Sequence, residues 1–271
     1  MVKVRVALCQ MKIGNKKEEN LSKAKLMLEK AADDGAEIVM LPEMFNCPYD
    51  INYFREYAEQ LPSGVSGKML AEVAKNKGIF IIGGSVPELG EDEVLYNTSL
   101  IFNSAGEVIG KHRKAHLFDV QVKNGIKFME SKVLSSGNQV TLVDTPWGKI
   151  GVMICYDIRF PEFSRVMALS GAQMIFVPAA FNLTTGPLHW ETLFKSRALD
   201  NQVFVLGNSP ARNEQADYVA YGHSIVVNPW GQIIRELNEG EGILAVELDL
   251  EQISEVREAL PVWQQRRIDL Y

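Results

Sequence analysis

Cys155 is the residue in this chain best placed for nucleophilic chemistry. It ends the apolar run 150–154 and opens Cys155-Tyr156-Asp157-Ile158-Arg159-Phe160-Pro161-Glu162, where proline and an apolar period of 3.6 residues start a helix. A thiol on a strand-to-helix turn stands outside the sheet edge, near helix-start N–H groups that favour its thiolate. Arg159, one turn onward, adds positive field. Such a nucleophile needs a base, an oxyanion stabiliser and shelter from water. Glu43 directly follows Met40-Leu41-Pro42, where partial desolvation would raise its pKa and make it a base near neutral pH. Lys111-His112-Arg113-Lys114-Ala115-His116-Leu117-Phe118-Asp119 ends another strand and admits three readings. A nucleic-acid patch is weak in an acidic chain. A metal site from His112 and His116 has i,i+4 spacing but lacks the Glu of HExxH and an obvious third ligand. In the third reading a cation of this run faces a developing oxyanion. Cys–His catalysis with His112, His116, His189 or His223 stays open, because partners converge only in three dimensions. Cys9 lies inside a strand and reads as core, whereas Cys47 sits in an irregular stretch that leaves its role open.

Cys155, Glu43 and a cation can cooperate only if their strands end at one edge. Short β-branched runs bounded by Gly, Pro or Asn predict strands at 2–10, 37–41, 78–85, 99–103 and 107–111 in the first half. The second half has them at 149–154, 174–177, 203–207, 224–228, 232–236 and 242–248. Helical periodicity covers 17–33, 66–76, 161–170 and 187–200, and turns fall at 103–106 and 228–231. The halves echo each other. Gly35-Ala36-Glu37-Ile38-Val39-Met40-Leu41-Pro42 returns as Gly171-Ala172-Gln173-Met174-Ile175-Phe176-Val177-Pro178, and Val6-Ala7-Leu8-Cys9 as Val152-Met153-Ile154-Cys155. Runs 79–83 and 96–103 likewise return at 203–207 and 221–228, in the same order. One layered unit built twice is the reading: mixed sheets share a core and carry helices outside, with no GxGxxG or GKS/T loop for nucleotide phosphate.

Length and charge bound the rest. At 271 residues, 46% hydrophobic and net charge −6, the chain can build a sizeable core and is unsuited to binding nucleic acid through bulk charge. Three cysteines form no disulfide framework, so a reducing, cytoplasmic location is expected. The start, MVKVRVALCQM, alternates too much for a signal peptide, and no apolar run approaches a membrane span. No linker interrupts residues 1–271, which read as a single domain.

Leu41-Pro42-Glu43, Arg113-Lys114-x-His116-Leu117-Phe118 and Cys155-Tyr156-Asp157-x-Arg159-Phe160-Pro161-Glu162 together resemble the nitrilase superfamily of carbon–nitrogen hydrolases, over nearly the whole chain. The resemblance implies an α/β fold, a four-layer αββα sandwich of two mixed sheets with internal pseudo-two-fold symmetry. It places the catalytic Glu-Lys-Cys set on Glu43, Lys114 and Cys155, and a second carboxylate on Glu130. Phe181-Asn182-Leu183-Thr184-Thr185-Gly186-Pro187-Leu188-His189-Trp190-Glu191, Arg197-Ala198-x-Asp200-Asn201-Gln202 and Gly222-His223-Ser224 are similar to the ω-amidase branch. That branch hydrolyses the terminal amide of 2-oxoglutaramate and 2-oxosuccinamate through a thioester, with no cofactor or metal. It implies Arg159 and Thr185 as carboxylate contacts. Beside it, Tyr49 and Tyr156 are further substrate-binding candidates, and His189 and Trp190 read as scaffold. A salt bridge from Arg159 to Asp157 or Glu162 is the competing structural reading. Gln121-Val122-Lys123-Asn124-Gly125 departs from both this branch and the deaminated-glutathione branch, leaving the pocket-shaping loop 119–130 undefined. Deaminated glutathione, N-carbamoyl compounds and simple aliphatic amides remain alternative substrates, and a non-catalytic ligand-binding member is the remote one. Tail residues 259–271 mix large apolar groups with charge and are expected to pack on a partner subunit, giving a homodimer or higher homo-oligomer.

Overall fold

The computed structural model describes residues 2–91, 93–123 and 126–270. The first half runs β1 (Lys3–Gln10), α1 (Lys17–Asp33), β2 (Ile38–Met40), α2 (Phe54–Tyr57), α3 (Val65–Lys77), β3 (Phe80–Ile82), β4 (Val86–Leu89), β5 (Leu95–Phe102) and β6 (Val108–Arg113). A small hairpin follows, β7 (Asp119–Gln121) with β8 (Lys127–Met129). The second half runs β9 (Thr141–Thr145), β10 (Gly148–Val152), α4 (Pro161–Leu169), β11 (Ala172–Pro178), α5 (Gly186–Asn201), β12 (Phe204–Asn208), β13 (Ile225–Val227) and β14 (Ile233–Glu236). Last come β15 (Gly242–Asp249) and α6 (Glu251–Ala259).

The echoes correspond to matched topology. From β15, the first sheet pairs antiparallel with β1, parallel to β2, parallel to β3, then antiparallel to β5 and β6. From β9, the second sheet repeats that series through β10, β11, β12, β13 and β14. The crossover helices match as well, α1 and α3 in the first half against α4 and α5 in the second. The chain closes the pattern by returning β15 to the edge of β1, far from its own half in sequence.

Side-chain alternation sorts these strands into layers. Val4, Val6 and Leu8 of β1 face Val152, Phe176 and Leu206 between the sheets. Ala7 and Cys9 point the other way, onto Ala24 and Leu28 of α1 and Val73 of α3. The second sheet packs its outer face on Met167 of α4 and Trp190 and Phe194 of α5. Each fully buried aliphatic or aromatic side chain contributes about 1.5–3 kcal/mol, so three stacked apolar layers hold four layers of structure. Cys9 is buried, and burial pushes its thiol up to about 12, which makes it core as expected.

Strands β4, β7, β8 and β9 and helices α2 and α6 lie outside the strands and helices expected from periodicity. Their segments are short, and β4 carries Pro87 and Glu88, residue types that read against a strand. Strand β6 also runs two residues beyond the expected end, so Lys114 follows it directly. Among the described residues no helix is long and apolar enough to cross a membrane. In the tail, Trp263 packs against the α4–α5 core with Arg257 over its ring at 4.2 Å, and Gln202 Nε2 donates to Leu260 O at 2.8 Å. Leu260, Val262, Ile268 and Leu270 remain exposed.

Candidate active site

Three loops leave the carboxyl ends of β2, β6 and β10 at one edge of the sandwich. The first carries Glu43. It is steered by Ser85, which accepts Met44 N–H at its hydroxyl (3.0 Å) and Phe45 N–H at its carbonyl (3.1 Å). Met44 takes φ 52°, a left-handed turn, and Gly84 at φ 58° lets the two segments touch. A Cβ on Gly84 would sit 2.2 Å from Pro42 O, so no other residue fits there. The second loop carries Lys114, whose N–H extends the β5 pairing to Asn97 O at 2.8 Å. The third carries Cys155, first residue of the 3₁₀ turn Cys155–Arg159, at φ 46°. A non-glycine residue in that region costs on the order of 1–2 kcal/mol and needs support from its surroundings.

Glu43, Lys114, Glu130 and Cys155 meet as the resemblance implied, all buried. Lys114 Nζ donates to Glu43 Oε1 at 2.9 Å, Glu130 Oε1 at 3.0 Å and Tyr49 Oη at 3.3 Å. All three ammonium hydrogens are thereby engaged. Glu43 Oε1 also accepts Asn97 Nδ2 at 2.8 Å, and its Oε2 accepts Ala180 N–H at 2.8 Å. Glu130 Oε2 accepts Phe118 N–H at 2.7 Å, which fixes the carboxylate edge that faces Lys114. Tyr49 Oη lies 2.7 Å from Glu130 Oε1 and 3.3 Å from Glu43 Oε1, joining the two acids.

The electrostatics divide the roles. Burial raises Glu43 above the usual carboxylate range, against the pull of Lys114. Burial opposes the Lys114 charge, yet Glu130 and Glu43 outweigh it and hold the ammonium well above its usual pKa. The Cys155 thiol is pushed well above its usual value, first by burial and then by Glu43, with Lys114 and the Ala180 N–H opposing. The helix-start N–H groups favour the thiolate, but burial and Glu43 outweigh them and raise the thiol, which suits proton removal by the neighbouring Glu43.

His112 and His116 turn to Asp157, away from the thiol. Asp157 is buried and takes one backbone N–H and one histidine nitrogen on each oxygen. Oδ2 meets Ile154 N at 2.9 Å and His112 Nε2 at 3.0 Å; Oδ1 meets His116 N at 2.8 Å and His116 Nδ1 at 2.7 Å. Burial alone would raise this carboxyl, but the two histidines and Ile154 N–H hold it down at about 2. Among the described residues no cluster of three or more His, Cys, Asp or Glu is arranged to hold a metal ion. The bracket instead ties the Lys114 loop to the Cys155 loop, a role that histidine spacing alone did not reveal.

Arg159 makes no salt bridge to Asp157 or Glu162 in the structure. Its Nη1 donates to His189 Nδ1 at 3.1 Å, its Nε is buried without a partner, and its guanidinium lies 4.7 Å from the Phe181 ring and 5.6 Å from that of Tyr156. Arg197 anchors this turn by donating to Ile158 O (2.8 Å) and Arg159 O (3.1 Å). Tyr156 packs on Phe118 and Phe160. Thr185 precedes α5 without capping it by its side chain, and its N–H and hydroxyl donate to Asn182 Oδ1 at 3.0 and 3.4 Å. Trp190 is buried as expected, donating to His223 O at 2.7 Å. His189 is exposed beside Arg159, outside the scaffold to which the sequence assigned it.

Sequence reasoning missed Asn97, Ala180 and Tyr218. Tyr218 donates to Ala180 O at 2.6 Å and packs 4.6 Å from the Tyr49 ring. Burial, Cys155 and Glu43 raise its hydroxyl well above the usual range. Only Asn97 left a signal, in the Tyr96-Asn97-Thr98-Ser99 echo. A cavity of about 370 Å³ opens beside these rings, walled by Tyr49, Tyr218 and Phe128 of β8. The pocket-shaping loop 119–130 thus contributes a hairpin wall, although Asn124 and Gly125 lie outside the described residues.

Residues 5–258 match the carbon–nitrogen hydrolase family. The ω-amidase NIT2-A of Xenopus laevis is 49% identical over 272 residues, covering 100% of this chain and 98% of that one. The crystal structure of Nit3 from Saccharomyces cerevisiae, a member of branch 10 of the nitrilase superfamily, superposes with TM-score 0.91 at 45% identity, covering 98% and 97% of the two chains. An amidase from Nesterenkonia matches at TM-score 0.78 and 26% identity over 96% of this chain and 99% of that one, in a mutant showing Michael addition of acrylamide at its active-site cysteine. Fold, family and site geometry agree, and the chain belongs to the carbon–nitrogen hydrolase family, within the nitrilase superfamily, as a hydrolase of amide carbon–nitrogen bonds.

Proposed function

We propose that this enzyme releases ammonia from the terminal amide of small 2-oxo dicarboxylic acid monoamides, 2-oxoglutaramate and 2-oxosuccinamate, through a thioester on Cys155. The observation that carries the reading is the pairing of the buried Cys155–Glu43–Lys114 set with a nearby guanidinium, Arg159, that lacks a carboxylate partner among the described residues. Relatives named ω-amidases at 46–49% identity over the full chain support the same substrate class.

Glu43 takes the thiol proton as the sulfur attacks the amide carbon, forming the C–S bond and a tetrahedral oxyanion. Lys114 and a backbone N–H beside Cys155 stabilise that oxygen; one such donor is worth roughly 3–4 kcal/mol of barrier. Lys114 turns to the oxyanion by releasing Tyr49 Oη, its longest contact at 3.3 Å. The C–N bond then breaks and Glu43 returns the proton to the leaving nitrogen as ammonia. Water, deprotonated by Glu43, cleaves the thioester and restores the thiol. Glu130 keeps Lys114 in place, and Arg159, beside the Tyr156 ring, receives the distal carboxylate, with Thr185 and Tyr49 as further substrate contacts. The enzyme acts without metal or cofactor, in the cytoplasm, as a homodimer or higher homo-oligomer that covers the exposed Leu260, Val262, Ile268 and Leu270; residues 1–271 work as one domain.

The test is an ammonia-release screen over 2-oxoglutaramate, 2-oxosuccinamate, glutamine, deaminated glutathione and a simple nitrile. The two 2-oxo amides should lead, and Cys155→Ala should abolish release while the protein stays folded. Preference for deaminated glutathione, or turnover retained by Cys155→Ala, would overturn the reading.

A further inference from the structure

Arg159 is held in a way that keeps its charge available. A half-buried guanidinium ordinarily pairs with a carboxylate. Here the nearest acid in sequence, Asp157, is fully engaged by its four donors, and Glu162 lies exposed on α4. The one hydrogen-bond partner of the Arg159 side chain among the described residues is His189, in the first turn of α5. Burial and the neighbouring Arg159 both lower the His189 pKa below its usual 6.5, so near neutral pH the ring is uncharged and accepts at Nδ1. An imidazole fixes the direction of the fork without neutralising it. A carboxylate at this position would fix it equally well but would compete with any incoming carboxylate.

We propose that His189 is a specificity-determining positioning residue, which aims Arg159 at the distal carboxylate of the substrate and leaves the guanidinium charge free to bind it. The ligand class is a short amide with a carboxylate at the far end. This rests on the reading of Arg159 as carboxylate anchor, and the experiment separates the two. Arg159→Ala, His189→Ala, His189→Gln and His189→Glu are compared in steady state on 2-oxoglutaramate and on a neutral amide of the same chain length. The readout is the ratio of kcat/KM between the charged and neutral substrates. His189 is exposed, so its variants should fold, and a thermal melt of each checks that.

Arg159→Ala should lower the ratio about 100-fold, as loss of a charge-assisted contact predicts. His189→Ala should lower it about tenfold, acting more on KM than on kcat, as the loss of one orienting hydrogen bond predicts. His189→Gln, whose amide oxygen can accept from Arg159, should recover to within about threefold of the parent. His189→Glu should match Arg159→Ala, because its carboxylate occupies the fork. If Arg159→Ala collapses the ratio while His189→Ala and His189→Glu leave it unchanged, the His189 role is wrong and the anchor stands. If Arg159→Ala leaves the ratio unchanged, both fall. Equal losses on the charged and neutral substrates would make His189 merely structural and also overturn the proposal.

Discussion

Asp157→Asn is the substitution whose cost follows most directly from the geometry. The side chain keeps its shape but exchanges one accepting oxygen for an NH2 group. Each oxygen of Asp157 serves one backbone N–H and one histidine nitrogen, from Ile154 and His112 on one side and His116 alone on the other. A histidine can change tautomer to accept from the new NH2; a backbone amide cannot. Whichever way the asparagine turns, one N–H of the bracket loses its acceptor and faces another donor, at about 1–3 kcal/mol. The remaining bonds also lose their ionic character, so the total is roughly 3–4 kcal/mol, a large share of a typical domain stability. Because Ile154 precedes Cys155 and His116 lies two residues past Lys114, the nucleophile and the cation shift relative to each other. Urea unfolding should show the loss, and kcat should fall by at least about tenfold with a smaller change in KM. Linkage provides an independent check. The folded pKa of Asp157 is depressed from 3.8 to about 2, so its stabilisation of roughly 2 kcal/mol is complete above pH 4 and is lost as pH falls toward 2. Asp157→Asn should flatten that part of the profile. A variant within about 0.5 kcal/mol of the parent, with unchanged kcat and acid profile, would refute the bracket.

Three further outcomes follow from the site. Glu43→Gln should abolish ammonia release yet speed iodoacetamide labelling of Cys155 near pH 8, because Glu43 is one of the groups that raise the thiol; slower labelling would contradict that electrostatic assignment. Cys9 and Cys47, both buried with raised thiols, should stay unlabelled in the folded protein, as mass spectrometry of the peptides would show. Tyr49→Phe removes the hydroxyl that joins Glu130 and Glu43, and kcat should fall about 10–100-fold, the worth of one hydrogen bond to a charged group. An unchanged kcat would confine Tyr49 to the cavity wall.

The duplicated architecture was legible because strands buried on both faces are short apolar, β-branched runs bounded by turn residues, and crossover helices repeat at 3.6, whatever surrounds them. The echoes between β1–β3 and β10–β12 therefore survive in the residue order. Strands β4 and β9 were not legible, since β4 carries Pro87 and Glu88 and β9 carries Asp144 between threonines, residue types that read against a strand. Glu43 and Cys155 stood out because each closely follows an apolar strand, whereas the run 111–119 offered several cations and family resemblance singled out Lys114. Glu130 begins a short 3₁₀ turn after a hairpin, with no local pattern to mark it, and only family resemblance identified it.

Sequence alone determined the layers, the doubled unit and the residue types needed for acyl transfer from an amide, because hydrophobic periodicity and strand ends are local properties. Tertiary structure decided which partner each polar group takes. It gave His112 and His116 to Asp157, left Arg159 with His189 instead of an acid, and raised the Cys155 thiol by burial beside Glu43. Those choices depend on burial and on hydrogen bonds between segments tens of residues apart, and neither is written in the spacing of one strand.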